Sequence, residues 1–347
     1  MSELFTLNNG NRLHLDEFGP SGAESTTLVA LHGLGGAGYL FAGIGQSEPT
    51  PSTRFEEIPP VDELKGRPIG RVLTKMNKVT REQVVEALEL QKKKPALLGQ
   101  MLVALGYVEQ ADINVALSAQ RGQALARPTS IRALCPDLPG NGLSPRPKQP
   151  ITFDYFTDVI VQLIKHKTTG PIALLGHSMG AIIALKVYAA LPDCINSLIF
   201  VGGLPAPLPQ AQSRLRERAA LIRATGLASV TPTIIPVLFA ERSFNTIPDK
   251  IAMFTRLLAQ SDGEGYAQTA DALANASAAD IAPRVRIPCL CITGAQDRYA
   301  PPNAVRAFAD SISGAGYREI PNCGHMPFYE TPEEFNGMIR SFLAEAE

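Results

Sequence analysis

The chain has 347 residues, 45% of them hydrophobic and 19% charged, which is enough apolar material for a sizeable core and excludes a disordered or fibrous chain. Lys plus Arg total 32 and Asp plus Glu 33, a formal net charge of −1, so no bulk field draws the chain to nucleic acid or to an anionic membrane surface. The length suits one large α/β domain carrying an insertion. The five cysteines, Cys135, Cys194, Cys289, Cys291 and Cys323, are spaced like neither a disulfide framework nor a metal pair. Reduced, buried thiols in a cytoplasmic protein are expected. The opening Met-Ser-Glu-Leu-Phe has no basic segment or long apolar stretch, so no signal peptide is expected. No apolar run reaches the length of a membrane span.

Residues 4–7 and 12–16 alternate across Asn-Asn-Gly-Asn and predict a strand pair. Residues 27–31 form a short apolar run that stops at His32-Gly33-Leu34-Gly35-Gly36, as a buried strand entering an α/β site would. A helix is expected over 39–46, then a Ser/Glu/Pro/Thr linker to about residue 55. From about 65 to 120 the chain is helical and repeats itself at an offset of 29 residues: Ile69-Gly70-Arg71-Val72-Leu73 matches Leu98-Gly99-Gln100-Met101-Leu102, Val79 matches Val108, Ala87-Leu88 matches Ala116-Leu117 and Gln91 matches Gln120. Each unit reads as a short helix, a turn and a longer helix with apolar residues such as Val84, Ala87 and Leu88 at helical spacing. Two such units can bury their apolar faces against each other.

The α/β rhythm resumes after Pro128. Strands are expected at 130–135, 171–175, 197–201, 287–293 and 317–320, and helices at 153–166, 179–190 and 331–345. Region 205–282 reads as helical and strandless. Strands alternating with helices imply a mostly parallel sheet with helices on both faces. The stretches 46–124 and 205–282 fall outside that alternation, so the first is expected to be a separate inserted domain within a host made of 1–45 and 125–347, and the second a helical cap.

Gly176-His177-Ser178-Met179-Gly180 follows an apolar strand and opens a small-residue helix, the context of a nucleophile elbow. Gly176 and Gly180 suit a tight turn in which side chains would collide. A serine hydroxyl needs a base to take its proton, and on such an elbow the acid and the base follow the serine in the chain. Of the five histidines, only His325 lies beyond Ser178, in a loop directly after an expected strand. Asp297, in the loop after the 287–293 strand, is the expected acid. Asp137 is read as tying down its own loop, His32 and Gly33 as shaping the loop after the first apolar strand, and His177 as packing beside the elbow. Two backbone N–H groups must hold an oxyanion; Met179 and Leu34 are the expected donors. Phe239, Met253 and Phe254 are candidates for an apolar pocket. No metal or organic cofactor is required.

These residues resemble the α/β-hydrolase-fold serine hydrolases. The resemblance covers about 1–45 and 125–347 and rests on residues 31–36, 137–144, 176–180, 294–297 and 324–325. It implies a Ser178–Asp297–His325 triad, a twisted, mostly parallel sheet with a helical cap, and hydrolysis of a small-molecule carboxylic ester or lactone. Gly202-Gly203-Leu204-Pro205 and Gly265-Tyr266 look most like small esterases and the enol-lactonase and haloperoxidase-like branch. Perhydrolase and carbon–carbon hydrolase chemistry use the same triad, and a non-hydrolytic binding protein built around the insertion is the contrasting reading. The inserted repeat resembles the N-terminal domain of type II secretion and type IV pilus assembly ATPases, some of which bind cyclic di-GMP. The arginine of that motif is replaced here by Pro68 and Leu97, and the later glycine of the first unit is Asn77. Cyclic di-GMP is therefore not an expected ligand; a spacer or a dock for a protein partner is. Lys92-Lys93-Lys94 is read as a solvated turn.

Overall fold

The computed structural model describes residues 1–20, 25–45, 59, 61–93, 96–108, 110–121 and 130–346. The expected linker over 46–55 and the expected rejoining point at 124–125 lie outside these residues. The chain divides into two compact units, Met1–Gln46 with Thr129–Glu347, and Ser47–Pro128.

The larger unit is built on one eight-stranded sheet. Its strands are β1 Ser2–Thr6, β2 Arg12–Phe18, β3 Ser25–Leu31, β4 Ser130–Pro136, β5 Ile172–His177, β6 Ile195–Val201, β7 Cys289–Gly294 and β8 Gly316–Ile320, in the order β1-β2-β4-β3-β5-β6-β7-β8. β1 and β2 run antiparallel, as does β2 against β4, and all other neighbours are parallel. The central strands read as unbroken apolar runs because helices cover both faces of a parallel sheet. β5 and β7 are buried at every residue. The helix Gly180–Ala190 is buried over most of its length and nearly uniformly apolar, as a helix pressed on the sheet must be. Helix Phe153–Lys167 begins at Thr152, whose side chain accepts a hydrogen bond from Tyr155 N–H.

Strand order reverses between β3, β4 and β5, and loops at the C-terminal ends of such strands form a crevice. β3, β5, β7 and β8 deliver Gly33, Ser178, Asp297 and His325 to this end of the sheet. Region 205–282 folds into helices Pro209–Thr225, Leu227–Leu238, Ser243–Thr246, Pro248–Gln260 and Gly263–Ala274, without a strand among the described residues. The helix expected over 39–46 is instead a single 3-10 turn, Gly38–Phe41, followed by turns; Gln46 is outside the described residues. Gly43 and Gly45 lower helix propensity there, and Gly45 packs directly on Phe18, where a Cβ would meet the Phe18 carbonyl carbon at 2.5 Å.

In the helical unit, helices Ile69–Lys75 and Arg81–Lys93 recur as Leu98–Ala104 and Gln110–Arg121. Its buried cluster carries the pairs Val72 and Met101, Leu73 and Leu102, Val79 and Val108, and Ala87 and Ala116, each 29 apart. The two halves cap each other: Gln120 Nε2 donates to the Arg67 carbonyl at 2.7 Å, and Gln91 Nε2 donates to the Ala96 carbonyl at 2.5 Å. Asn77 and Gly106 take the same left-handed conformation, φ 54° and 72°, which Asn tolerates at helix C-termini. Arg67 bonds the Glu63 carbonyl of its own turn. Leu88, expected on the buried stripe, is exposed, and Lys92 pairs with Glu89 on the surface; Lys94 is not among the described residues. No helix among the described residues is long and apolar enough to cross a membrane.

Candidate active site

Ser178 sits between β5 and the helix Gly180–Ala190 with φ 54°, a left-handed conformation that costs energy at a non-glycine residue. It is held there by close packing. Its own N–H donates to the Val201 carbonyl at 2.9 Å. A Cβ on Gly180 would lie 2.5 Å from the Leu31 carbonyl oxygen, one on Gly33 would lie 2.8 Å from Ser178 Cβ, and one on Gly176 would strike the Gly180 carbonyl. The elbow therefore closes onto the β3 loop only because these residues lack side chains.

His325 is buried, and its Nδ1 hydrogen-bonds Asp297 Oδ2 at 2.8 Å. Asp297 has no exposed side-chain surface; its second oxygen accepts from the N–H groups of Tyr299 at 2.8 Å and Ala300 at 2.9 Å. An aspartate so bound takes the proton-bearing nitrogen of the ring, which leaves the lone pair on His325 Nε2. Ser178 and His325 line one pocket together with Gly33, Leu34, Leu215 and Phe254. Leu34 thus reaches the site. Met179 follows Ser178 in the chain, and its side chain is buried in the main core, so only its backbone can serve the pocket.

His32 and His177 hold loops. His32 accepts from Leu138 N–H at Nε2, 2.9 Å, so its Nδ1 donates to the Gly33 carbonyl at 2.8 Å, and it ties the β3 loop to the β4 loop. Burial lowers its pKa, opposed by nearby Asp137. His177 Nε2 donates to the His325 carbonyl at 2.9 Å, and the two rings lie 4.8 Å apart. Burial, then the neighbouring His325, holds its pKa well below the ordinary histidine value, so His177 is neutral. Asp137 binds Gly38 N–H at 2.6 Å, Leu143 N–H at 2.7 Å and His14 Nδ1 at 3.0 Å; its role is to lock loops.

Two residues of this site are given no role there by the sequence. Gly202, φ 50°, faces Asp297 and His325: a Cβ there would lie 2.9 Å from Asp297 Oδ2 and 3.0 Å from His325 Nδ1. The run Gly202-Gly203 after a strand is the only signal for it. Glu330 is a buried carboxylate that accepts from Gly324 N–H at 2.9 Å, Met326 N–H at 3.3 Å, Ala240 N–H at 2.8 Å and Ser243 Oγ at 2.6 Å. It anchors both sides of His325, and nothing local marks it. Of the three expected pocket residues, Phe254 lines the pocket, Phe239 is packed in the core and Met253 is 48% exposed. All five cysteines are free; burial pushes the Cys323 thiol far above its ordinary value, so it is no rival nucleophile. No cluster of metal ligands occurs among the described residues.

Sheet order, elbow and crevice together define an α/β hydrolase, and the chain belongs to the alpha/beta hydrolase family, whose sequence profile matches residues 107–338. Among curated relatives, it is 27% identical over 210 residues to 3-oxoadipate enol-lactonase 2 of Acinetobacter baylyi, covering 60% of this chain and 78% of that protein. It is 28% identical over 207 residues to the pimeloyl-[acyl-carrier protein] methyl ester esterase of Chromobacterium violaceum, covering 57% of this chain and 78% of the esterase. Its fold matches a thermophilic esterase from Thermogutta terrifontis with a TM-score of 0.68 at 20% identity, over 100% of this chain and 99% of that one. The enol-lactonase of Burkholderia xenovorans matches with a TM-score of 0.68 at 20% identity, over 98% and 99% of the two chains.

Proposed function

We propose that the protein hydrolyses a carboxylic ester or lactone through an acyl-enzyme. The observation that carries this reading is the pairing of His325 with the wholly buried Asp297 in the pocket that Ser178 lines. In the proposed cycle Ser178 Oγ attacks the carbonyl carbon while His325 Nε2 takes its proton. Asp297 holds the imidazole and stabilises its charged form. The backbone N–H groups of Leu34 and Met179 receive the oxyanion. His325 then protonates the departing alkoxide, and a water, deprotonated in turn by His325, releases the acyl group. The enol-lactonase and methyl ester esterase among the relatives support ester or lactone carbonyls as the substrate class.

The test is labelling with a fluorophosphonate probe, followed by a panel of p-nitrophenyl esters of increasing acyl length and a set of lactones. Stoichiometric labelling of Ser178 is expected, with Ser178→Ala losing on the order of 10⁴ in kcat. An unlabelled protein, or a Ser178→Ala variant keeping more than about a tenth of the activity, overturns the reading, given that expected loss.

A further inference from the structure

We propose that Arg218, with Tyr266 and Tyr299, forms an anion subsite within the catalytic pocket, so that the preferred acyl group carries its own carboxylate a few carbons from the scissile carbonyl. The inference rests on the assignment of Ser178 as nucleophile and names the substrate class for it.

Arg218 lies on the cap helix Pro209–Thr225 and lines the same pocket as Ser178 and His325. Among the described residues it makes no ion pair, and no aspartate or glutamate lines the pocket. By contrast Arg223, on the same helix and more exposed, binds both Glu264 and Asp271. A half-buried guanidinium with no carboxylate is unusual, because its desolvation is normally offset by one.

Its polar neighbours deepen the imbalance. Arg218 Nη1 donates to Tyr266 Oη at 3.3 Å, and Nη2 donates to Tyr299 Oη at 3.2 Å. Both tyrosines line the pocket, and each hydroxyl, having accepted from arginine, keeps its own proton to donate. The guanidinium has five N–H donors, so the cluster offers more donors than it has acceptors. A bound carboxylate supplies the missing acceptors, and Arg is the side chain whose planar fork matches it.

Placement sets the distance. The Arg218 guanidinium lies 5.7 Å from the Tyr299 ring centre, and that ring lies 5.2 Å from the His325 ring. An acyl group seated at Ser178 must therefore extend a short chain to reach the cluster. Apolar Leu215, Ile234, Leu238 and Leu273 line the same pocket and suit a methylene spacer.

The experiment compares kcat/KM for monomethyl adipate with that for methyl hexanoate, its uncharged six-carbon counterpart, in the wild type and in Arg218→Gln and Arg218→Lys. Adipate binding is measured in parallel by calorimetry. The wild type is expected to prefer the charged ester by at least about tenfold. Arg218→Gln should lose about 10–100-fold on it, mainly in KM, the range of a charge-assisted hydrogen bond, while methyl hexanoate changes less than about threefold. Arg218→Lys should retain part of the preference, since charge survives without the fork. No preference in the wild type, with no adipate binding, overturns the proposal. Equal losses on both esters also overturn it, because a mere brace between helices acts on every substrate alike. If Ser178 neither labels nor turns over either ester, yet adipate binds the wild type and not Arg218→Gln, the hydrolase assignment fails and the anion subsite stands.

Discussion

Ser178 and Asn77 share a φ of 54°, one at the elbow after β5 and the other at a helix end in the inserted repeat, and their surroundings are opposite. Around Ser178 the backbone of β3, the elbow and the β6 loop approach so closely that single added carbons collide. The position equivalent to Asn77 in the second repeat is Gly106, and a Cβ there meets nothing within 4 Å. Strain at the elbow is imposed by packing on all sides, which fixes where the Ser178 side chain leaves the backbone. The same backbone angle in the repeat merely ends a helix, and the sequence solves it with whichever residue tolerates the left-handed region. A left-handed residue points to a site only when its neighbours hold it there.

The largest effect expected from breaking the site short of the nucleophile is at Asp297. Asp297→Asn should lower kcat by about 10²–10⁴, because an amide allows the wrong imidazole tautomer and cannot balance the imidazolium. Ester turnover beside circular dichroism checks it; a near-normal rate would remove Asp297 from its role. Next comes a matched pair of glycine substitutions. Gly202→Ala and Gly106→Ala both place a side chain at positive φ, but only the first drives it against Asp297 and His325. Gly202→Ala should lose about 10–100-fold in kcat, corresponding to a misplaced catalytic pair. Gly106→Ala should leave turnover unchanged and cost the repeat about 1 kcal/mol. Equal effects would dissolve the contrast between the two regions.

A smaller difference separates the units in acid. All five histidines lie outside 47–128, and His32 and His177 are held neutral by burial. Their folded pKa values lie below the unfolded value of about 6.5, so the unfolded chain takes up protons first. The stabilisation they give is complete above about pH 6.5 and is lost as pH falls below it. Calorimetry from pH 7 to 5 should move the melting transition of the larger unit downward. That of the repeat, which holds no histidine, should stay in place. A downward shift of both together would mean that the histidines are not the cause.

Much of the larger unit can be read from the chain because its signals are local. Apolar runs mark β3 to β7, and glycine, serine and histidine mark the loops that end them. The repeat shows itself by pattern, and Gln91 and Gln120 prove to be paired caps. What escapes is set by contacts between distant segments. Glu330 looks like any charge before a closing helix until the 238–243 segment and the His325 loop come to surround it. Gly202 matters because β7 and β8 deliver two other residues beside it. Arg218 is one of several cap arginines in the sequence; only folding shows which of them lack an acid. The 39–46 segment misleads in the other direction: its helical composition yields to the close approach of Gly38 to Cys135 and of Gly45 to Phe18.

The smallest effect on the hydrolase is expected from the largest change to the chain, removal of the repeat. Each unit has its own buried cluster: one draws on residues up to Ile44 and from Ile131 onward, the other on Leu64 to Ala119. Neither shares a residue with the other, so excision opens no cavity within the first cluster. Gly45 and Ile131, described residues of the larger unit on either side of the excursion, lie close together. Gly19 packs between them, so that a Cβ there would strike the Ile131 carbonyl and lie 2.8 Å from the Gly45 carbonyl oxygen. A short turn can span such a gap, and because closure entropy grows only slowly with loop length, replacing a long excursion by a short one changes stability by only about 2–3 kcal/mol. We therefore expect a variant lacking 47–128, joined by a short glycine-serine turn, to unfold cooperatively, label at Ser178 and turn over p-nitrophenyl esters within about fivefold of the full chain, the margin that 1 kcal/mol leaves. Insoluble or unlabelled product, with the full chain soluble and labelled, would show that the helical repeat completes the hydrolase and that the boundary between the two units is not a domain boundary.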